Sequence, residues 1–305
     1  MGRKVKIALG SMVTTMALAG YFLSQLTIFD KLQIQFVSGR DKPYQAITQY
    51  APLQCYQSPE AVAVLPAKTF KLLSWNIHKG QDAGWQKDLQ SLSAEQDFVL
   101  LQEATPQQSL QQFSSSLFAS AFAYKAQSSG VKTFAKSAPQ WYCADSLPEP
   151  WIQIPKVGSA MAFPLQNGQT LLVVNLHLIN FELKLVNYRK QLEQIFTLVG
   201  RHQGPMIVAG DFNSWRGKRV DFLNGLMAQY DLHAVPLQSD QRVRFLGQPL
   251  DHVFSRGVQI LTANLRIIIR FYWNFALVLI NVIYLAQKNG RMYSDRFYLL
   301  IILRH

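Results

Sequence analysis

One ten-residue stretch, Met206-Ile-Val-Ala-Gly-Asp-Phe-Asn-Ser-Trp215, constrains the fold more than any other part of the chain. Met206 to Ala209 are small or apolar and read as a buried strand. Gly210 lets the backbone turn, and Asp211 and Asn213 follow, two apart. Side chains two apart on an extended backbone share a face. A carboxylate and a carboxamide would therefore project together from the end of a rigid strand. An Asx turn would use the same residue types, so the weight lies in recurrence: apolar runs ending in polar residues appear four more times.

Phe70 to Trp75 reads as a strand ending at Asn76, and Asp97 to Leu101 leads into Gln102-Glu103. Leu171 to Val174 runs into Asn175-Leu-His177, and Pro249-Leu-Asp251-His-Val-Phe254 closes the series. A further strand is expected over 157–165. Between them, Thr105-Pro106 has the form of a helix start for Gln107–Phe118. Leu185, Tyr188, Leu192, Ile195, Phe196 and Val199 give Glu182–His202 one apolar helical stripe, and Val220 to Tyr230 repeats it in a shorter helix. These stripes are core surface.

Each polar residue also has an ordinary structural explanation. Asn76 could cap the turn that follows it, Glu103 could cap the helix that starts after it, His177 could be a satisfied core histidine, and Asp251 could pair locally with His252. Jointly, however, they make a set of oxygen donors with one imidazole and a second carboxylate, suited to a hard cation and to attack on a phosphate. Thiolate and multi-histidine patterns are missing, which argues against a zinc enzyme.

Charge has to be located before it is interpreted. The chain has 305 residues and a formal net charge of +12. Residues 70–256 hold 17 basic against 14 acidic side chains, whereas residues 1–69 hold seven against three and residues 257–305 six against one. The middle therefore offers little sequence-independent attraction to nucleic acid. Arg3, Lys4 and Lys6 precede an uncharged run from Ile7 to Phe29, which as a helix would span about 34 Å. Residues 1–30 are thus expected to be a transmembrane anchor with the domain exported. A signal segment cut after Ala17-Leu-Ala19 and an inverted, cytoplasmic orientation are the alternatives. Pro43, Pro52, Pro59 and Pro66 make residues 31–69 read as an irregular linker. Cys55 and Cys143 could pair in an oxidising compartment or stay free. After Arg256 the composition changes to Ile, Leu, Tyr, Asn and Arg, and the uncharged run Phe271–Gln287 is marginally long enough for a second span.

The segments Leu73-Ser-Trp-Asn76, Leu100-Leu-Gln-Glu103, Val174-Asn-Leu-His-Leu178, Gly210-Asp-Phe-Asn213 and Leu250-Asp-His-Val-Phe254 resemble, in order, those of the endonuclease/exonuclease/phosphatase superfamily, over about residues 70–256. The resemblance implies a four-layered α/β sandwich, with two packed, mostly antiparallel sheets flanked by helices. It implies Mg²⁺ (or Mn²⁺) held by Glu103 with Asn76 beside it. Asp211 would orient or deprotonate the attacking water, Asn213 and His177 would stabilise phosphoryl charge, and Asp251 would orient a later histidine. The substrate would be a phosphate ester: nucleic acid, phospholipid or inositol phosphate. The chain is expected to act as a monomer. The superfamily's closing Ser-Asp-His is replaced here by Ser294-Asp295-Arg296. Residues 257–305 are therefore expected to be an aberrant, frame-shifted tail that replaces the last strand and impairs catalysis. A non-catalytic, membrane-associated binding protein is the reading of a different class.

Overall fold

The computed structural model describes residues 20–65, 69–238, 240–271 and 293–304; for residues 264–271 and 293–304 the backbone alone is described. In chain order the strands are β1 Leu26–Ser38, β2 Gln45–Ile47, β3 Gln54–Gln57, β4 Thr69–Asn76, β5 Phe98–Ala104, β6 Ser115–Tyr124, β7 Gln127–Ala135, β8 Trp141–Pro148, β9 Pro155–Pro164 and β10 Thr170–His177. They continue with β11 Met206–Asp211, β12 His233–Ala234, β13 Arg244–Phe245, β14 Gln248–Pro249, β15 Asp251–Arg256, β16 Gln259–Phe271 and β17 Tyr293–Arg304. The helices are α1 Trp85–Ser93, α2 Val186–Val199 and α3 Gly217–Gln229.

Two sheets form, in the orders β1-β6-β7-β5-β4-β17-β16 and β12-β15-β11-β10-β9-β8-β3-β2. Both are mixed: β4 with β5 and β10 with β11 run parallel, and the remaining described strand pairs within them are antiparallel. Three apolar cores separate four layers. Phe70, Leu72, Phe98 and Leu100 meet Phe163, Leu171, Val173, Ile207 and Val253 between the sheets. Leu73, Trp75, Val99 and Leu101 point the other way, onto Trp85 and Leu89 of α1. Leu172, Val174, Met206 and Val208 face the stripes of α2 and α3. Strand alternation alone assigns these faces. The molecule is an α/β sandwich, and most of its stability comes from this burial, at about 1.5–3 kcal/mol for each enclosed large side chain.

Two expectations are corrected. Residues 31–69 are not an irregular linker: β1 pairs with β6 over most of its length, and β2 and β3 extend the second sheet. Leu32, Ile34 and Phe36 alternate toward the core, and the prolines fall between strands. Gln107–Phe118 is not a helix. Thr105 N–H is taken by the Gln108 side chain, turns follow, and β6 begins at Ser115, because alternating Leu117, Ala119 and Ala121 fit a buried strand. The anchor expected over Ile7–Phe29 mostly lies outside the described residues, and Leu26–Phe29 are the start of β1. Among the described residues no helix is long and apolar enough to cross a membrane. The tail, expected to replace the last strand, supplies one. The backbone of β17 pairs with β4 from Tyr298↔Trp75 to Arg304↔Thr69, and with β16 on its other side. The second span expected from Phe271 lies outside the described residues beyond that residue. Cys55 and Cys143 face each other across β3 and β8 and form a disulfide.

Candidate active site

Strand parity places the polar residues. On β4, Asn76 continues the inter-sheet row Phe70-Leu72-Ser74; on β10, His177 continues Leu171-Val173-Asn175. On β11, Asp211 follows Ile207-Ala209, and on β15 Asp251 shares a face with Val253. All four reach the same end of the sandwich, because β10 and β11 are parallel with His177 beside Asp211, and Asp251 lies opposite Asp211.

Glu103 breaks the alternation. It should point outward with Val99 and Leu101, but the β5–β7 register slips between Leu101 and Ala104, and Glu103 adopts φ 49°. A bulge re-aims a side chain in this way. Asn213 (φ 47°), His78 and Lys79 (φ 48° and 57°) also occupy the left-handed region. Such conformations are uncommon for residues with a side chain and gather where function constrains the backbone. At Gly210 (φ 141°) a Cβ would meet Leu176 O at 2.0 Å, so glycine is required for β11 to lie against β10.

The two sheets touch at the site through polar groups. Asn76 Nδ2 donates to Asp211 Oδ2 at 3.0 Å, and Asn213 N–H donates to Asp211 Oδ1 at 2.9 Å. His177 Nε2 lies 3.7 Å from Asp211 Oδ2. Lys156 Nζ donates to His177 Nε2 at 2.9 Å and sits 3.9 Å from the buried Glu149 carboxylate. Lys79 Nζ donates to Glu103 Oε2. Beneath them Gln102 Nε2 donates to Asn175 Oδ1 at 2.8 Å, while Asn175 Nδ2 reaches Leu101 O, Lys132 O and Thr133 Oγ1. This polar bridge, in which Gln102 Oε1 is left without a partner, forms a floor between the sheets.

Electrostatics separate the carboxylates into two kinds. Burial raises the Glu103 carboxyl, but the Lys79 ammonium, and then that of Lys156, more than offset it and hold it well below the usual carboxylate range. Burial pushes Asp211 up to about 6, opposed by Lys156 and by hydrogen bonds from Asn213 and Asn76. Asp251 is raised well above its ordinary value by burial and by the charge of Asp211 facing it. Two facing carboxyls with only partial compensation disfavour each other's ionisation. His177 is held neutral, first by burial and then by Lys156. An ammonium has donors only, so His177 Nε2 must present its lone pair to Lys156 and the ring proton sits on Nδ1.

Asn76, His177, Asp211 and Asp251 thus gather at one end of the sandwich, with Glu103 near enough for the Lys156 charge to act on it. Asn213 enters through its backbone; its side-chain Nδ2 is engaged by Leu178 O at 2.8 Å. His252 points to the opposite face, against Ser214 and Phe254. Among the described residues no hydrogen-bonded imidazole reaches Asp251. Lys79, Lys156 and Glu149 were not singled out from the sequence. Lys79 sits in an irregular turn and Lys156 in a hairpin, so neither carries a periodic signal. Several other cations of the middle region are structural. Lys132 binds Gln108 O, Lys136 pairs with Asp97, and the fully buried Arg219 braces the carbonyls of Ile179, Asn180, Glu182 and Asn213.

A hard divalent cation fits this donor set. Among the described residues no three His, Cys, Asp or Glu side chains form a ready-made cage. Mg²⁺, however, takes one or two carboxylates and fills the remaining positions with water and phosphate oxygens. Glu103 is kept ionised and is neutralised by a lysine ammonium, the charge that a bound cation would replace.

Comparison with known proteins gives the family and the fold. The pattern of the endonuclease/exonuclease/phosphatase family matches residues 73–271. A UPF0294 protein of Vibrio vulnificus is 37% identical over 218 residues, 70% of this chain and 77% of the relative. A UPF0294 protein of Yersinia enterocolitica is 35% identical over 237 residues, 76% of this chain and 90% of the relative. Among solved structures, Danio rerio TDP2 in complex with a single-strand DNA product superposes with a TM-score of 0.51 at 16% identity, covering 78% of this chain and all of that one. An endonuclease/exonuclease/phosphatase of Beutenbergia cavernae gives 0.50 at 14% identity, covering 78% and 72%. Five strand ends in the expected order, a sandwich that gathers them at one end, and relatives matched over more than two thirds of their length lead to one conclusion: the chain belongs to the endonuclease/exonuclease/phosphatase family.

Proposed function

We propose that the protein is a divalent-metal-dependent phosphoesterase in which water attacks a phosphate ester held in the inter-sheet cleft. The observation that carries this reading is the placement of Asp211. Its carboxylate is raised toward neutrality, oriented by donors from both sheets, and adjacent to a neutral imidazole and a lysine. A base with that pKa, held in one orientation, is suited to take a proton from water near pH 7. Glu103 and Asn76 would hold Mg²⁺ or Mn²⁺, which when bound supplies charge neutralisation at the phosphate oxygens. Lys156 and the Nδ1–H of His177 stabilise charge that builds on the phosphoryl group, and water is excluded below by the Gln102–Asn175 bridge.

Asp251 would orient an imidazole on the last strand, but Ser294-Asp295-Arg296 stands there instead. Turnover is accordingly reduced, by roughly the 10²–10⁴-fold that a general acid–base group contributes. The Cys55–Cys143 bond favours an exported domain in an oxidising compartment, and the apolar run before β1 favours attachment to a membrane.

The test is hydrolysis of bis(4-nitrophenyl) phosphate with added Mg²⁺ or Mn²⁺. Slow, chelator-sensitive cleavage is expected. It should fall by a further ~10²-fold or more in Glu103→Gln and Asp211→Asn, and rise at least about tenfold in Arg296→His. Cleavage indifferent to metal, or unchanged in Glu103→Gln, would overturn the reading.

A further inference from the structure

The large apolar side chains left exposed are not scattered. Single exposed Leu or Val residues are ordinary on a protein surface, and only their concentration calls for a cause. Eight of the eleven among the described residues lie at the end of the sandwich that holds the cleft. Only Val37, Val64 and Leu261 lie elsewhere, at strand ends opposite the site.

The loops presenting them are rigid and joined to the site. Beyond the pairing Pro148↔Pro155, the β8–β9 hairpin exposes Trp151 (74%) and Ile152. Its tip is closed by Gln153 N–H on Glu149 O at 2.9 Å and Gln153 Nε2 on Pro150 O at 2.8 Å. The Glu149 carboxylate accepts Asn180 N–H at 2.8 Å and Phe181 N–H at 2.7 Å. That clamp fixes the next loop, whose Leu183 and Val186 are exposed. Arg216 Nη1 donates to Leu183 O at 3.1 Å, and Trp215 Nε1 to Asn180 O at 3.1 Å. Trp215 in turn packs on Phe245, beside exposed Leu246 in the β13–β14 turn. A flexible loop would fold such side chains down; these tips are held outward.

Two observations identify the occupant. Cations are interleaved with the apolar tips: Arg216 beside Leu183, with Lys184 and Lys218 exposed. Interleaved aromatic, aliphatic and basic groups suit the boundary between headgroups and acyl chains. The polypeptide also enters the domain at this end. Lys125 N–H donates to Gln25 O, Leu26 pairs with Tyr124, and the same β6–β7 hairpin reaches Ala104, next to Glu103, through Gly130. The described residues just ahead of β1 lie on this side, where Tyr21 and Leu23 are exposed, and the uncharged run of the sequence precedes them.

We propose that this end of the sandwich docks on an anionic lipid bilayer through Trp151, Leu183 and Leu246, so that the cleft takes phosphodiester headgroups from the membrane surface. Docking stands on the surface alone; the substrate half rests on the phosphoesterase reading above. Trp151 sits in the interface, Lys184, Arg216 and Lys218 meet headgroup phosphates, and the clamp through Glu149 ties that contact to Lys156 and His177.

The experiment uses the full chain in vesicles of phosphatidylcholine and phosphatidylglycerol, with the acyl chains brominated as quencher. A quenched component of tryptophan emission that disappears in Trp151→Phe, and that weakens several-fold in Leu183→Asp/Leu246→Asp without a change in melting temperature, is expected. Identical quenching in wild type and Trp151→Phe overturns docking. So does shielding of Trp151 from aqueous iodide by single-stranded DNA in preference to vesicles. For the substrate half, Leu183→Asp/Leu246→Asp should lower cleavage of vesicle phospholipid about tenfold while cleavage of soluble bis(4-nitrophenyl) phosphate is kept. Equal effects on both substrates overturn it. If wild type cleaves neither substrate, the phosphoesterase reading and the substrate half fall, while the Trp151 result still decides docking.

Discussion

Asp211 illustrates how little separates a structural carboxylate from a reactive one. Its raised pKa has a physical source: burial, with a smaller push from the Glu103 charge and only partial relief from Lys156, Asn213 and Asn76. His177 is tuned in the opposite sense, since burial and the Lys156 ammonium both disfavour its charged form. Removing the ammonium should therefore raise the His177 pKa. In Lys156→Met the His177 ring resonances are expected to titrate at distinctly higher pH than in wild type, followed by NMR; an unchanged or lower midpoint would contradict the assigned contact. Asn76, His177 and Asp211 were legible in the sequence because each ends an apolar run of the right parity. Lys79 and Lys156 were not, because a lysine in a turn or hairpin is usually solvated surface and only the tertiary fold aims it inward.

At the level of elements, departures from regularity do more to build the cleft than the regular strands. Without the slip between Leu101 and Ala104, Glu103 would face α1. Without Gly210 the close passage of β11 against Leu176 O could not form. The regular parts of β4, β5, β10 and β11 were readable from alternation and length, as were α2 and α3 from their stripes. The strand β6 was misread because Thr105-Pro106 imitates a helix start, and β1 to β3 were missed because four prolines outweighed the alternation of Leu32, Ile34 and Phe36. The β3 strand is joined to β8 by a disulfide that closes 88 residues of sequence separation. Chain-entropy arguments assign a loop of that size about 3–5 kcal/mol. Cys55→Ser/Cys143→Ser should accordingly melt many degrees below wild type, and a reductant should lower wild type to a similar value. An unchanged melting temperature would show that β3 is held by packing alone.

For the whole molecule, two sheets meet face to face, and their ends supply one cleft. The tail matters at this scale because β17 gives β4 a partner that it would otherwise lack; an unpaired central edge would leave its backbone groups unsatisfied. Composition alone could not reveal this, since a run rich in Ile and Leu fits a strand or a membrane segment equally well. The position of the cleft at the end where the chain enters, ringed by apolar tips, was likewise invisible before the strands were ordered in space. The proposed chemistry depends on Asn76 and Glu103 from one sheet holding a single divalent cation beside Asp211 from the other. A ligand that binds the native state alone raises its melting temperature by mass action, so thermal melts with and without Mg²⁺ or Mn²⁺ test that binding independently of turnover. A metal-dependent rise in wild type that is lost in Glu103→Gln is the predicted result; no rise, or the same rise in the variant, would contradict it.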